Sequence, residues 1–381
     1  MSLRLGILGG GQLGQMLAQA GQRTGITCRC YDPDPEACAR LVCEVTTAPF
    51  EDDAAITRFA QQCDVLTYEF ENVPVSAVRA AERACPVAPG PRCLEVAQDR
   101  GSEKAFFTQS GLEVPPYRLI DSLETLRAAA ADIGLPCILK TRRGGYDGKG
   151  QAVVRAVGDV GPAWDAIGRK PAILERMVPF TRELSVIAVR SAAGAFDHYP
   201  LVENTHERGI LRVSRAPAPG VPQRVEDEAV AHVRTLMDAM QYVGVLAVEL
   251  FEVEGRLLAN EMAPRVHNSG HWTIEGAATS QFENHLRAVA GMPLGPCNAV
   301  GPSVMINFIG AVPDETAIRA IPHAHPHLYG KSGRANRKVG HATLVAPRAG
   351  AGGGQPPHDP FAHLADAAHR LRTLAAACDI P

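Results

Sequence analysis

The amino-acid sequence predicts a protein of α/β and α+β class, and three observations carry that prediction. Short apolar runs alternate with helical periodicities up to about residue 95, the pattern of a parallel sheet covered by helices. Two apolar runs, Gly244–Phe251 and Arg256–Met262, are joined by Glu252-Val-Glu-Gly255 and read as a β-hairpin. A glycine-rich basic loop, Arg142–Gly150, interrupts two strand-like segments in a mixed region between them.

In chain order, Leu3–Leu8 is a first strand, followed by the turn Gly9-Gly-Gly-Gln-Leu-Gly14 and a helix with Met16, Leu17 and Ala20 on one face. Thr27–Tyr31 is a second strand ending at Asp32, and Val65–Tyr68 is another, ending in Glu69-Phe-Glu71. Pro86, Pro89 and Pro91 punctuate the end of this unit. Ser102–Ser110 reads as a helix, Leu123–Ile133 as an amphipathic helix, and Pro136–Lys140, Gln151–Arg155 and Ala172–Glu175 as strands. From about Cys297 a third unit begins, with strand Val304–Ile309 and the basic run Lys331–Lys338. Gly350–Pro357 reads as a flexible connector, and Phe361–Ala377 as a helix docking on the third unit. His323, His325 and His327 alternate as on one strand face, and are expected to be structural.

Composition narrows the function. The 381 residues suffice for two or three domains, and 46% hydrophobic with 21% charged content is ordinary for a soluble protein. A net charge of −3 provides no general basic field for nucleic acid. No run of 18 apolar residues is present to cross a membrane, and the N-terminus enters a strand directly, without the layout of a secretory signal. Ten scattered cysteines, among them Cys28-x-Cys30 on one strand, fit reduced thiols, so a cytoplasmic location is expected.

Three constellations carry chemistry. Buried strands rarely hold carboxylates, because an unpaired charge costs several kcal/mol to desolvate. Glu249 and Glu261 in the hairpin can nevertheless face one side in one register and, with Asn260 beside them, offer hard oxygen ligands to Mg²⁺. The next loop, Ala263–His271, holds Arg265, His267, Asn268 and His271. Lys140 at a strand end, followed by Gly144, Gly145, Gly148 and Gly150 with Lys149 among them, suits phosphates: the lysine as a point charge, the loop through backbone N–H groups. Gly9-x-Gly11-x-x-Gly14 with Asp32 at the second strand's end matches a dinucleotide fingerprint, and this keeps an NAD(P) oxidoreductase open as an alternative.

Taken together, Gly9–Gly14, Arg142–Gln151, Asn204–Leu211, Asn260–Trp272 and Arg337–His341 resemble the N5-carboxyaminoimidazole ribonucleotide synthetase family of ATP-grasp ligases. The resemblance covers nearly the whole chain and weakens after residue 345. It implies an N-terminal pre-ATP-grasp domain over 1–98, an ATP-grasp domain over 99–296 and a small C-terminal domain over 297–381. It further implies ATP and Mg²⁺, with bicarbonate and 5-aminoimidazole ribonucleotide as substrates, and a homodimer. ATP contacts carry over to Arg100, Lys140, Gly145, Tyr146, Asp147, Gly148, Lys149, Gly150, Gln151, Glu175, Arg176, Met177, Val178, Glu183, His206, Asn260 and Glu261. Residues 175–178 would present an exposed strand edge to adenine, with Glu175 and Glu183 accepting from the amino group and ribose hydroxyls. Magnesium falls to Glu249 and Glu261. Ribonucleotide contacts fall to Gln12, Leu13 and Glu69 at the base or ribose, and to Arg265, Lys331, Arg337 and Lys338 at the phosphate. Tyr146, Asp147, His267 and Asn268 would surround bicarbonate and the reacting amine, with Lys338 near the same centre. A formate-dependent glycinamide ribonucleotide transformylase remains an alternative within the same architecture. That family has Gly-Glu-Leu-Gly and Arg-Pro-His-Asp where this chain has Gln12 and Arg265-Val-His-Asn268.

Overall fold

Leu5, Ile7 and Leu8 are apolar on both sides of one strand, and a strand of that kind is stable only in a sheet covered on both faces. In the computed structural model, which describes residues 2–145, 148–346 and 359–380, that sheet consists of β1 (Arg4–Leu8), β2 (Thr27–Asp32), β3 (Glu44–Thr47) and β4 (Val65–Tyr68). All are parallel, in the order β3-β2-β1-β4. Helix Gln12–Thr24 follows the glycine turn. Helix Asp53–Ala60 is started by Asp52, whose carboxylate accepts the Ala55 N–H at 2.9 Å.

A second, antiparallel sheet holds β5 (Tyr117–Ile120), β6 (Cys137–Thr141), β7 (Gln151–Val154) and β8 (Ala172–Arg176) in the order β5-β8-β6-β7. Helix Leu123–Ile133 packs Leu126 and Ile133 against Leu139 and Leu174 of this sheet, and Ser122 caps it. The loop between β6 and β7 contains Tyr146 and Asp147. Both expectations for these residues, and the connector expected at 350–357, lie outside the described residues.

The third sheet is the largest. It contains β9 (Arg182–Arg190), β10 (Phe196–His198), β11 (Val202–Glu207), β12 (Ile210–Ala216), β13 (Gly244–Val253), β14 (Arg256–Ala263), β15 (Ser303–Gly310), β16 (Ala324–Leu328) and β17 (Arg334–Val345). Its order is β14-β13-β9-β11-β12-β15-β17-β16, with β10 beside β9. Strand β13 reads as continuous apolar sequence because both its faces are buried. Leu246, Val248 and Leu250 share a core with Val233 and Leu236 of helix Gln223–Ala239, while Val245 and Ala247 share another with Leu286 and with Leu17 of the N-terminal helix. The hairpin turn is tighter than the expected four residues: only Glu254 and Gly255 lie outside the strands, at φ 50° and 77°, as a two-residue turn with both residues left-handed requires.

Strands on either side of residue 297 pair directly, β12 with β15, so the C-terminal strands extend the central sheet. Helix Ala365–Ala376 closes this end with Leu371 against Phe308 and Ile306, and Val213 of β12 belongs to the same core. Strand β16 lies at the sheet edge, where Pro326 is tolerated. His325 and His327 share its face. His323 does not belong to the strand: it precedes it at φ 64°.

Candidate functional site

The glycine turn after β1 is closed by carboxylates of the protein itself. Gly11 and Gly14 donate their N–H groups to Glu69 Oε1 and Oε2, each at 2.6 Å, and Gly10 donates to Asp32 Oδ2 at 2.6 Å. A side chain at Gly9, where φ is 107°, would place its Cβ 2.3 Å from Glu69 Cγ. The helix N-terminus that would cradle a dinucleotide pyrophosphate is therefore occupied by Glu69, and the oxidoreductase reading loses its basis. Glu69 also departs from its expected role. Burial pushes its carboxyl up while the two N–H bonds pull it down, and both oxygens are committed to the backbone. It shapes the loop of Gln12 and Leu13 and stands at the wall of the cleft described below.

The hairpin brings its carboxylates together. Glu249 and Glu261 are direct cross-strand partners, and the register shifts immediately after Glu249. Leu257, Ala259 and Met262 face one core, a spacing that breaks the period of two at this bulge. Asn260 and Glu261 are thus both turned off that core. Burial, then the charge of Glu261, pushes the Glu249 carboxyl up to about 7. Burial acts the same way on Glu261, but Arg100, whose Nη1 lies 2.9 Å from Glu261 Oε2, holds it at about 2. Among the described residues, Asn260 Oδ1 is buried without a partner. Two carboxylates and an orphaned amide oxygen are hard donors and fit Mg²⁺. Among the described residues no group of three or more His, Cys, Asp or Glu side chains forms a metal site. A cation here would take its remaining ligands from phosphate and water.

Helix Arg100–Gln109, which begins earlier than its apolar pattern suggests, supports this hairpin. Asp99 caps it, accepting from Gly101 at 3.0 Å and Ser102 at 3.1 Å, and pairs with Arg142 at 2.9 Å and Arg143 at 3.3 Å. Glu103 accepts the Met262 N–H at 2.7 Å. Lys104, only 1% exposed, donates to Asn260 O at 2.6 Å and Ala259 O at 3.3 Å and lies 3.4 Å from Glu175 Oε2. Sequence reading missed Asp99, Glu103 and Lys104. The available signal was the i, i+3, i+4 spacing of Arg100, Glu103 and Lys104, which places three charges on one helix face.

The expected adenine hinge is altered. Strand β8 is interior to its sheet, and the Arg176 and Met177 N–H groups already donate to Pro116 O at 2.9 Å and Pro136 O at 3.0 Å. The Glu175 carboxylate turns inward. Burial opposes its ionisation, yet Lys140 at 3.2 Å and Lys104 hold it at about 2, so it is an ion-pair acceptor and not an open acceptor for adenine. Glu183 accepts from or shares a proton with His206 Nδ1 at 2.6 Å. Burial disfavours the charged imidazole, but this bond and nearby carboxylates raise it on balance. Val178, the last residue of the expected hinge, lies beyond the end of β8, and Gln151 opens β7 opposite Lys140. Gly148 packs so closely on the β11–β12 turn that a Cβ there would lie 2.7 Å from Arg208 O.

A cleft of about 600 Å³ joins the N-terminal turn, the hairpin and the C-terminal basic run. Gln12, Leu13, Glu69, Arg100, Gly145, Lys149, Glu249, Glu261, Arg265, His267, Asn268, Lys331, Arg337 and Lys338 all line it. Lys140, Gly148, Gly150, Gln151, Glu175–Val178, Glu183, His206 and Asn260 stand outside its lining. Arg334 and Asn336 line it too and were not anticipated. Several lining residues are already engaged by the protein itself. Arg265 forms a partly buried ion pair with Glu71 and donates to Val266 O at 3.0 Å, so part of its guanidinium is already engaged. Asn268 exchanges amide hydrogen bonds with Asn307 at 3.1 and 2.6 Å, which makes it a structural clasp rather than a group open to bicarbonate. Lys331 contacts Gln12, joining the two ends of the chain, and Arg337 donates to Ser332 Oγ at 3.1 Å. Burial, then Arg265 and Lys338, lowers His267 to about 3, so its ring is neutral, with Nδ1 2.8 Å from Ser269 Oγ. His327 has an acidic partner that sequence reading did not find, Glu275 at 2.7 Å.

Residues 2–98 match the ribonucleotide synthetase preATP-grasp domain, residues 105–282 the ATP-grasp domain, and residues 303–351 the phosphoribosylaminoimidazole carboxylase C-terminal domain. An N5-carboxyaminoimidazole ribonucleotide synthase of Pseudomonas aeruginosa is 50% identical over 342 residues, 90% of this chain and 94% of the relative. The chain belongs to the N5-carboxyaminoimidazole ribonucleotide synthase family. The crystal structure of the synthetase from Thermus thermophilus matches with a TM-score of 0.90 at 48% identity, covering 99% of both chains. The synthase of Aspergillus clavatus, solved with ADP and 5-aminoimidazole ribonucleotide, matches with a TM-score of 0.88 at 30% identity over 98% of this chain and 99% of that one. The synthase family thus accounts for the ATP-grasp architecture.

Proposed function

We propose that this chain is the ligase that carboxylates 5-aminoimidazole ribonucleotide in purine biosynthesis, consuming ATP and bicarbonate and releasing N5-carboxyaminoimidazole ribonucleotide, ADP and phosphate. One observation supports this reading above the others. The cleft sets the carboxylate pair Glu249/Glu261 and the basic run Lys331–Lys338 on one continuous surface, in a chain related along almost its whole length to named synthases.

In the first stage a bicarbonate oxygen takes the γ-phosphoryl group of ATP, giving carboxyphosphate and ADP. Lys140, Lys149 and the backbone N–H groups of Gly145, Gly148 and Gly150 would hold the phosphates, with Tyr146 and Asp147 on the same loop. Glu249, Glu261 and Asn260 would hold Mg²⁺, which supplies charge neutralisation for the transferred group. Arg100, now on Glu261, would turn part of its guanidinium to the same oxygens. In the second stage the exocyclic amine attacks the carboxy carbon of carboxyphosphate, or CO₂ released from it; phosphate leaves and the amine loses a proton. His267, neutral at physiological pH, is suited to orient by hydrogen bonding rather than to take that proton. Arg337, Lys331 and Lys338 would bind the ribonucleotide phosphate by charge-assisted bonds. A division at 1–98, 99–296 and 297–381, a homodimer and a cytoplasmic location complete the reading.

ADP release decides the matter. Purified protein is assayed with bicarbonate against formate, and with 5-aminoimidazole ribonucleotide against glycinamide ribonucleotide. Release that requires the aminoimidazole substrate and bicarbonate is expected; release that requires formate and glycinamide ribonucleotide would refute the proposal.

A further inference from the structure

Lys104, a buried lysine, touches both the hairpin strand β14 and Glu175 of β8. It donates to Asn260 O at 2.6 Å and Ala259 O at 3.3 Å, and its charge lies 3.4 Å from Glu175 Oε2 as an ion pair. It is therefore held in place, with 1% of its surface exposed. Lys140 lies 3.2 Å from the same oxygen of Glu175, which is its acceptor among the described residues. Two ammonium groups thus share one carboxylate, and that carboxylate is 4% exposed.

We propose that Lys104 is a positioning residue that keeps Glu175 neutralised so that Lys140 can move to a nucleotide phosphate. This rests on the reading of Lys140 as a nucleotide residue. A buried carboxylate without a partner is strongly disfavoured, so a lysine that alone neutralised Glu175 would be bound to it. With Lys104 fixed on the other side, Lys140 can leave and Glu175 remains paired. The cluster of two ammonium groups and one carboxylate also carries a net positive charge, which an arriving phosphate satisfies. Because Lys104 holds the carbonyls of Ala259 and Asn260 as well, the same anchor sits beneath the bulge that turns Asn260 and Glu261 off the core. The role predicts that Lys104 acts through charge on Glu175, not through contact with nucleotide.

The test is calorimetric titration of a non-hydrolysable ATP analogue with Mg²⁺ into wild type, Lys104→Met, Glu175→Gln and the double variant. Lys104→Met is expected to weaken binding about tenfold or more, because Lys140 must then stay on Glu175. Glu175→Gln removes the anion that tethers Lys140, so binding should stay within about threefold of wild type or tighten. The double variant should bind like Glu175→Gln. Binding of 5-aminoimidazole ribonucleotide should be unchanged in all three, a separation that general loosening of the fold would not produce. Wild-type affinity in Lys104→Met refutes the role, as does a double variant as weak as Lys104→Met, which would reduce Lys104 to packing beneath Asn260. A tenfold loss in Glu175→Gln also refutes it, by making Glu175 itself a nucleotide contact. This arm deletes no lysine and stands if Lys104→Met does not fold. Absence of analogue binding to wild type refutes the proposed function itself; an indifferent Lys104→Met beside a binding wild type refutes only the role of Lys104.

Discussion

Replacement of Glu69 by Gln separates a carboxylate that shapes the site from one that touches substrate. In the fold, Glu69 is 6% exposed and accepts two backbone N–H groups at 2.6 Å each, from Gly11 and Gly14. A glutamine of the same length has one oxygen, so one N–H loses its acceptor and meets an amide donor instead. A hydrogen bond to a charged group contributes about 1.5–3 kcal/mol, and a buried donor left unpaired costs on the order of 1–3 kcal/mol. The substitution should therefore destabilise the N-terminal unit by about 2–3 kcal/mol. At roughly 2–4 °C per kcal/mol for a chain of a couple of hundred residues, the midpoint should fall by about 4–12 °C. Thermal unfolding followed by circular dichroism reads this, and titration with 5-aminoimidazole ribonucleotide reads the consequence for Gln12 and Leu13, which the turn carries. Both the midpoint and the ribonucleotide affinity should drop, while affinity for the ATP analogue holds. An unchanged midpoint with weakened ribonucleotide binding would show Glu69 acting on the ligand directly and refute the reasoning from its backbone bonds.

Glu261→Gln should keep the fold and lower turnover by orders of magnitude, since electrostatic stabilisation of phosphoryl transfer is typically worth several kcal/mol; wild-type turnover at saturating Mg²⁺ would remove this residue from the site. Arg337→Ala should weaken ribonucleotide binding by about 1.5–3 kcal/mol and leave ATP affinity nearly unchanged, because Lys140 and Glu175 lie outside the cleft that Arg337 lines; paired titrations with loss of ATP binding instead would exchange the two pockets. His285 offers a pH dependence. Its Nδ1 accepts the Val245 N–H at 3.0 Å and its Nε2 lies 2.8 Å from Thr67 Oγ1, so the neutral ring pins the N-terminal sheet to β13. Burial lowers it from 6.5 to about 4, so the unfolded chain binds this proton more readily. Its contribution is complete above pH 6.5 and is lost as pH falls from 6.5 towards 4, by up to about 3.5 kcal/mol at ~1.4 kcal/mol per unit. Melting across that range should steepen in wild type and flatten in a folded His285→Gln variant, and parallel profiles would exclude His285 as the source.

Local patterns were legible where one segment's chemistry decides its own structure. The apolar runs of β13 and β14, the glycines of the turn after β1 and the strand-end position of Lys140 follow from burial and backbone sterics. The fold preserves all three. That Glu249 and Glu261 could face one side was readable as one possible register, but their direct pairing depends on the bulge after Glu249, which the sequence did not show. What the sequence could not determine was which polar groups remain open to a ligand. Arg265 is taken by Glu71 from 194 residues away, Asn268 by Asn307 across 39, and the glycine turn by Glu69 across 55 and 58. Lys104 reads as an ordinary solvated helix lysine until β14 closes over it from 156 residues along the chain. A buried donor or acceptor must find a partner. Its identity depends on which distant strands the chain brings alongside, so local chemistry names the candidate groups and tertiary contact decides which of them are left for the substrate.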